Sequence, residues 1–385
     1  MKALPAQGLS FFRKTCALLL VGGVLAGCAT PRLGDDEAAL VLEDVLARGG
    51  ASRLGARAAD LDMQAVEFSE PGRSYRADLY RPALPPRGAL VLLAGLNSQG
   101  HADPRLVSLA RSMARAGFLS LVPDLPQSRD LYLTRDNVGD VIAAVRYLRN
   151  GDGLAYGGPI GLGGISFASG PVLMAALDPA LRRDIDFVVN VGGYYDLRNL
   201  VSLYTTGAPY AVPAQANASP LVERSSYLKW VIALASVDRL ESAADRDAIR
   251  DYARRRLTAS HRLLDRPPQP AGEDARALLA LLANTDPGQV PALLARLSPA
   301  VRDNLAALDP AQQDLRQLRA RVYLIHGRGD RIIPPAESIA LARALPGQSR
   351  LFLLEGLEHV NFAPRAGDYD TMLEAVRVLL AQRRP

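Results

Sequence analysis

The chain is poor in several residue types, and each shortage removes a class of function. Its 385 residues include two cysteines, Cys16 and Cys28, one tryptophan and four histidines, His101, His261, His326 and His359. So few thiols leave no material for a disulfide framework or a cysteine-built zinc site. The histidines are scattered, with no H-x-x-E-H or H-E-x-x-H spacing, so no metal is expected. No phosphate-cradling loop stands out either. The run from Gly157-Gly158 to Gly163-Gly164 is glycine-rich, but its second half belongs to a strand end discussed below, and no cofactor is expected. Internal repeats and low-complexity segments are absent, which excludes a solenoid. Lysine has been almost replaced by arginine. The formal charge of +5 overstates the basic character, because residues 1–27 hold Lys2, Arg13 and Lys14 and no acid. Without them, 42 basic residues face 40 acidic ones. The two signs are interspersed and form no basic stripe with interleaved aromatics, so a nucleic-acid partner is not expected.

What is present is an ordinary globular mixture, 49% hydrophobic and 22% charged, in a chain long enough for a large core. The first 28 residues are different. A basic stretch ends at Arg13-Lys14, an apolar stretch rich in leucine and glycine runs from Cys16 to Leu25, and Leu25-Ala26-Gly27-Cys28 follows. The apolar part is too short and too glycine-rich for a comfortable membrane span and reads as a signal peptide over residues 1–27. The ending LAGC resembles the lipobox of bacterial lipoproteins. That resemblance implies that Cys28 is lipidated and becomes the first residue of a chain anchored in the cell envelope. A multiply acylated terminus would hold firmly, since each buried methylene adds about 0.8 kcal/mol. Ala29, in place of an aspartate after the cysteine, implies sorting to the outer membrane, facing the periplasm.

Residues 28–62 read as a tether with a short amphipathic helix over 36–48. Met63–Ser69 and Tyr75–Arg81 alternate as strands and are joined at Pro71-Gly72, a hairpin. A regular pattern then begins. Continuous apolar strands are expected at 89–94, 118–122, 160–165 and 187–191, with amphipathic helices at 104–116, 137–149 and 167–177 between them. Such alternation predicts an α/β fold, a mostly parallel sheet covered on both faces by helices. It stops near Gly192-Gly193 and resumes with strands at 322–325 and 350–354 and helices at 335–345 and 369–382. The sequence therefore divides into a core over 63–193, a helical insertion over 194–319, and the rest of the core over 320–385. Helical character within the insertion is expected at 221–237, 245–263, 273–282 and 290–297.

The chemistry sits just past three strand ends, where open parallel sheets place their sites. Gly164-Ile165-Ser166-Phe167-Ala168 joins a strand to a helix. A serine in such a sharp turn has its hydroxyl exposed above the sheet and beside a helix N-terminus, although a serine there can also be a plain N-cap. After the strand VYLI comes His326-Gly327-Arg328-Gly329-Asp330-Arg331-Ile332-Ile333-Pro334. After the strand RLFLL comes Glu355-Gly356-Leu357-Glu358-His359. His326, at its strand end, reads as structural.

Taken together, these segments resemble the α/β-hydrolase superfamily over roughly residues 63–194 and 320–384. Gly164 to Ala168 is similar to the nucleophile elbow G-x-S-x-G, with Ala168 in the last place. Residues 326–334 are similar to the segment that carries the triad acid. The order serine, aspartate, histidine is also the superfamily's. The resemblance implies Ser166 as nucleophile, His359 as general base and Asp330 as the acid that orients it. Asp196, after the preceding core strand, is the competing acid, and Asp124 reads as a turn-former. An oxyanion hole is implied at the backbone N–H groups of Phe167 and Leu96, with the Asn97 side chain as a second candidate donor. The histidine often found in that loop is absent here. The insertion stands where the superfamily keeps its cap. Its Tyr204, Thr205, Thr206, Tyr210, Tyr227 and Trp230 would line a substrate pocket or form cap core, with Trp230 assigned to core. The expectation is a lipid-anchored hydrolase of small-molecule or lipid acyl esters or thioesters. The same residues would serve an acyltransferase or peptidase, and a non-catalytic envelope protein on this fold is the remaining alternative.

Overall fold

A computed structural model describes residues 36–58, 61–70, 72–151, 154–209, 228–258 and 266–385. Cys28, Tyr210, Tyr227 and His261 fall outside the described residues. The strands are β1 Asp62–Glu70, β2 Arg73–Arg81, β3 Gly88–Leu93, β4 Phe118–Pro123, β5 Ile160–Ile165, β6 Phe187–Val191, β7 Arg321–Gly327 and β8 Ser349–Leu354. They form one eight-stranded sheet in the order β1-β2-β4-β3-β5-β6-β7-β8. β1 and β2 form an antiparallel hairpin, and β2 joins β4 antiparallel. From β4 to β8 every pairing is parallel. This is the α/β-hydrolase fold, and it agrees with the expected class.

The central strands are parallel because each return passes through a helix, and they are apolar because helices cover both faces. One face carries α1 Glu37–Leu46, α3 Pro104–Arg115 and the C-terminal helix Asp368–Leu380. The N-terminal segment is fixed there by Asp44, whose buried carboxylate accepts both a hydrogen bond from Ser52 and two from Arg115 at 2.9 Å. Ser52 in turn caps α2 Arg53–Arg57, a helix too short to show a period in the sequence.

After the single turn α4 Pro126–Arg129, the other face carries α5 Asp136–Asn150, α6 Ser169–Leu177 and the helices that follow β6. Between Val191 and Arg321 no strand occurs among the described residues. The helices there include α7 Leu197–Thr206, Lys229–Val237, Ala243–Thr258 and Glu273–Ala283. One continuous apolar core joins them to the sheet. Asn304 bridges the two parts, donating to the Ala235 carbonyl at 3.0 Å and accepting the Arg135 N–H at 3.2 Å. Trp230 packs its ring edge against Tyr252 at 5.0 Å inside this core.

Candidate active site

Ser166 lies at the C-terminal end of β5, at the start of a single 3-10 turn that leads into α6. Its φ is +56°, a left-handed conformation that a residue with a Cβ adopts only when the surroundings impose it. Gly164 shows why the turn is so tight. A Cβ added there would lie 2.8 Å from Ser169 Cα and 2.9 Å from the Ala168 carbonyl oxygen. Position 168 makes no such demand: Ala168 has φ −67° and is fully buried, so the departure from glycine costs the elbow nothing in conformation.

His359 reaches the site from a small hairpin. Leu357–Glu358 pairs with Asn361–Phe362, leaving a two-residue loop in which His359 has φ +54°. Tight two-residue hairpin loops favour positive φ, and from this loop the imidazole reaches Asp330. Its Nδ1 lies 2.9 Å from Asp330 Oδ2. The other oxygen, Oδ1, accepts the N–H groups of Ile332 at 2.8 Å and Ile333 at 3.1 Å. Burial pushes the Asp330 carboxyl upward, but hydrogen bonds and charge from His326 and His359 outweigh it and hold the group at about 2. Asp330 is therefore a carboxylate at neutral pH. It can only accept, so Nδ1 of His359 carries the proton and Nε2 is left with a lone pair.

His326 is the second donor to this carboxylate. Its Nε2 is 2.9 Å from the Ile333 carbonyl oxygen and 3.3 Å from Asp330 Oδ2, and its Nδ1 is 2.7 Å from Ser338 Oγ. A carbonyl cannot donate, so the network assigns the proton to Nε2 and makes Nδ1 an acceptor. His326 is thus structural, as the sequence suggests. Its service to Asp330 becomes visible only once the loop is folded. Gly192 closes the same pair from the side. It has φ +60°, and a Cβ there would sit 3.4 Å from Asp330 Oδ2 and 3.5 Å from His359 Nδ1.

Asp196 is elsewhere. Its side chain caps α7, accepting the N–H groups of Arg198 at 2.9 Å and Asn199 at 3.3 Å, and it pairs with the Arg198 side chain. Asp124 lies after β4 and pairs with His101 at 3.1 Å and Arg129 at 3.3 Å.

The loop after β3 is held by its own side chains. Asn97 spends its side chain mainly on its own loop. Its Nδ2 donates to the Gly95 carbonyl at 3.1 Å, and its Oδ1 accepts the N–H groups of Gln99 and Gly100. Ser128 donates to the same Gly95 carbonyl at 2.8 Å. In a trans peptide the C=O and the following N–H point in opposite directions. Holding the Gly95 carbonyl toward Ser128 therefore turns the Leu96 N–H the other way. Leu96, Ser166 and His359 all line one cavity of about 300 Å³.

The cavity bears on the two readings left open for the insertion. No described residue of the helical insertion lines it. Tyr204 is buried and donates its hydroxyl to the Ile332 carbonyl at 3.0 Å, while Thr205 and Thr206 bond back to carbonyls of their own helix. The apolar side of α7, with Leu200, Val201, Leu203 and Tyr204, belongs instead to the larger apolar core shared with α5 and α6.

No protein-family model matches this sequence, and no curated protein matches it. Among solved structures, the chain is similar to a puromycin-hydrolyzing peptidase from Mycobacterium tuberculosis, with 16% identity and a TM-score of 0.45 over 83% of this chain. The chain spans 38% of that protein's length. It is also similar to a dienelactone hydrolase from Anabaena variabilis, with 14% identity and a TM-score of 0.44, covering 85% of this chain and all of the other. A 2,6-dihydroxy-pseudo-oxynicotine hydrolase matches at 15% identity and a TM-score of 0.47, over 83% of this chain and 67% of that one.

Proposed function

We propose that this chain is a serine hydrolase that cleaves acyl esters or thioesters through an acyl-enzyme on Ser166. The observation that carries the reading is the polarised histidine. Asp330 fixes the tautomer of His359 that leaves Nε2 basic, and Ser166 faces the same cavity in a strained elbow. Ser166 Oγ attacks the acyl carbon as His359 Nε2 takes its proton. The N–H groups of Phe167 and Leu96 receive the oxyanion. Collapse breaks the bond to the leaving oxygen or sulfur, which takes the proton back from His359. Water, deprotonated in turn by His359, then attacks the acyl-enzyme, and the bond to Ser166 Oγ breaks as Oγ takes the proton back from His359 and the acid leaves.

Location is part of the proposal. The lipobox-like LAGC supports lipidation of Cys28 and tethering to the envelope of a bacterium, at the outer membrane facing the periplasm. Cys28→Ser should then release the protein from the membrane fraction and end labelling by a palmitate analogue. For the chemistry, Ser166→Ala should cut turnover of an activated ester by on the order of 10⁶-fold and abolish labelling by a fluorophosphonate probe. Wild-type turnover in that variant would overturn the assignment.

A further inference from the structure

Resting on that reading, we infer that the acyl chain of the substrate enters the body of the protein, between the sheet and the helices of the α1 face. Among the described residues, none of the insertion lines that space. The first sign is an anomaly of burial. Ile165, Val189, Val191 and Ile325 sit on the central strands β5, β6 and β7, where side chains should be the most enclosed in the molecule, yet all four are only partly buried. Register and alternation place them on one face, and all four line the same cavity as residues of α3 and the C-terminal helix.

The space that exposes them is the cavity that begins at Ser166 and His359. From there it passes Leu109 of α3 and Ala375 of the C-terminal helix and reaches Met113 and Leu379. Its charged lining, Arg48, Arg105 and the buried Asp103 that pairs with Arg105 at 2.6 Å, belongs to the reactive end. Arg48 donates to the Phe362 carbonyl, and Arg105 lies 3.3 Å from Asn361 Oδ1, both on the hairpin that carries His359. Farther in, the lining is aliphatic, with Ser108 the polar exception. Such a space takes a chain and leaves nothing for a polar group to pair with, apart from that one hydroxyl.

Its volume sets the length. A water-sized group occupies about 30 Å³ in the liquid, and a methylene is similar, so a cavity of this size takes a chain of about ten carbons. Each methylene buried on the way should raise kcat/KM about fourfold.

The test is a chain-length profile of the full-length protein with p-nitrophenyl alkanoates from acetate to palmitate. A parallel series of alkyl acetates lengthens the alcohol instead. The wild type should gain about fourfold per methylene and peak at about ten acyl carbons, with no matching gain along the alcohol series. Ala375→Phe and Leu109→Phe obstruct the cavity from opposite walls, and each should lower the decanoate-to-acetate ratio and move the peak to shorter chains. Two variants are used so that poor folding of one, checked by its thermal melt, leaves the other to decide. A flat wild-type profile, a gain that follows the alcohol, or an unmoved peak in a folded variant would overturn the inference. None of those results touches the serine hydrolase reading, which fails separately if fluorophosphonate does not label Ser166.

Discussion

Replacing Asp330 by asparagine changes almost no volume, yet the hydrogen bonds around it dictate a specific failure. Oδ1 accepts two backbone N–H groups, from Ile332 and Ile333, so in Asp330→Asn that position must be taken by the amide oxygen. The amide nitrogen then occupies the Oδ2 position, 2.9 Å from His359 Nδ1. It can only donate, so His359 must accept there and carry its own proton on Nε2. That is the tautomer that cannot take a proton from Ser166. The new donor also faces the protonated Nε2 of His326, which the carboxylate now accommodates at 3.3 Å. Loss of the correct tautomer in a serine-histidine-aspartate site costs about 10⁴ in kcat, equivalent to about 5.5 kcal/mol of barrier. The assay is steady-state hydrolysis of p-nitrophenyl butyrate at neutral pH, with thermal melts to show that the variant is folded. Asp196→Asn is the matched control. Asparagine caps helices as well as aspartate does, so both stability and kcat should stay near wild type. A folded Asp330→Asn enzyme within about tenfold of wild-type kcat, or an Asp196→Asn enzyme that is the more damaged of the two, would refute the assignment of the acid.

Three further outcomes follow from the surroundings of the site. Glu337 is buried and accepts the N–H groups of Tyr195 and Asp196, and burial, with the nearby carboxylates Asp196 and Asp309, pushes it up to about 7. A raised acid binds its proton more tightly when folded, so its contribution is greatest below its unfolded value and is lost as pH rises to about 7. The change is on the order of 3 kcal/mol, and Glu337→Gln should flatten it, giving a higher urea midpoint than wild type at pH ~8. Asn97→Ala leaves the Gly95 carbonyl held by Ser128 alone and removes the side-chain acceptor of two loop N–H groups, so kcat should fall by up to about 10²-fold with little change in melting temperature, while Asn97→Asp keeps the two accepted bonds and most of the activity. Gly164→Ala forces a Cβ against backbone at 2.8 Å, which should cost about 1–3 kcal/mol in denaturant melts and slow fluorophosphonate labelling.

The strands of this protein could be read because the parallel core makes them continuous apolar runs. ALVLLA became β3 and FVVNV became β6, and their ends located the elbow and the two loops that carry Asp330 and His359. The elements that escaped are those too short to repeat a period: α2, and the hairpin of two residues on each side that presents His359. The role of His326 escaped for a different reason. Its value to Asp330 depends on Ser338 and the Ile333 carbonyl, which the chain returns to the ring only after the loop closes. The part Asn97 plays in holding its own loop escaped too, because a side-chain amide gives no sign in the sequence of the backbone groups it will bind.

The most consequential feature invisible in the sequence is which face of the sheet is hollow. Both faces are apolar, and the aromatic residues of the insertion made that side the more inviting one. Strand β5 shows how the choice is made. In IGLGGI, Ile160 and Leu162 fill the core toward the insertion, while Gly161 and Gly163 leave the opposite face without side chains. Phe187 and Leu92 lean over the gaps, so close that a Cβ on Gly161 would lie 2.1 Å from the Phe187 ring and one on Gly163 2.5 Å from Leu92. Leu92 is drawn down onto β5 and becomes cavity wall, and the neighbouring β6 and β7 side chains are left uncovered. Gly163→Ala should therefore push Leu92 into the cavity and shorten the acyl chain the enzyme accepts, even though the substituted residue carries no chemistry. Unchanged chain-length selectivity in a folded Gly163→Ala protein would mean that the cavity is shaped by the helices alone.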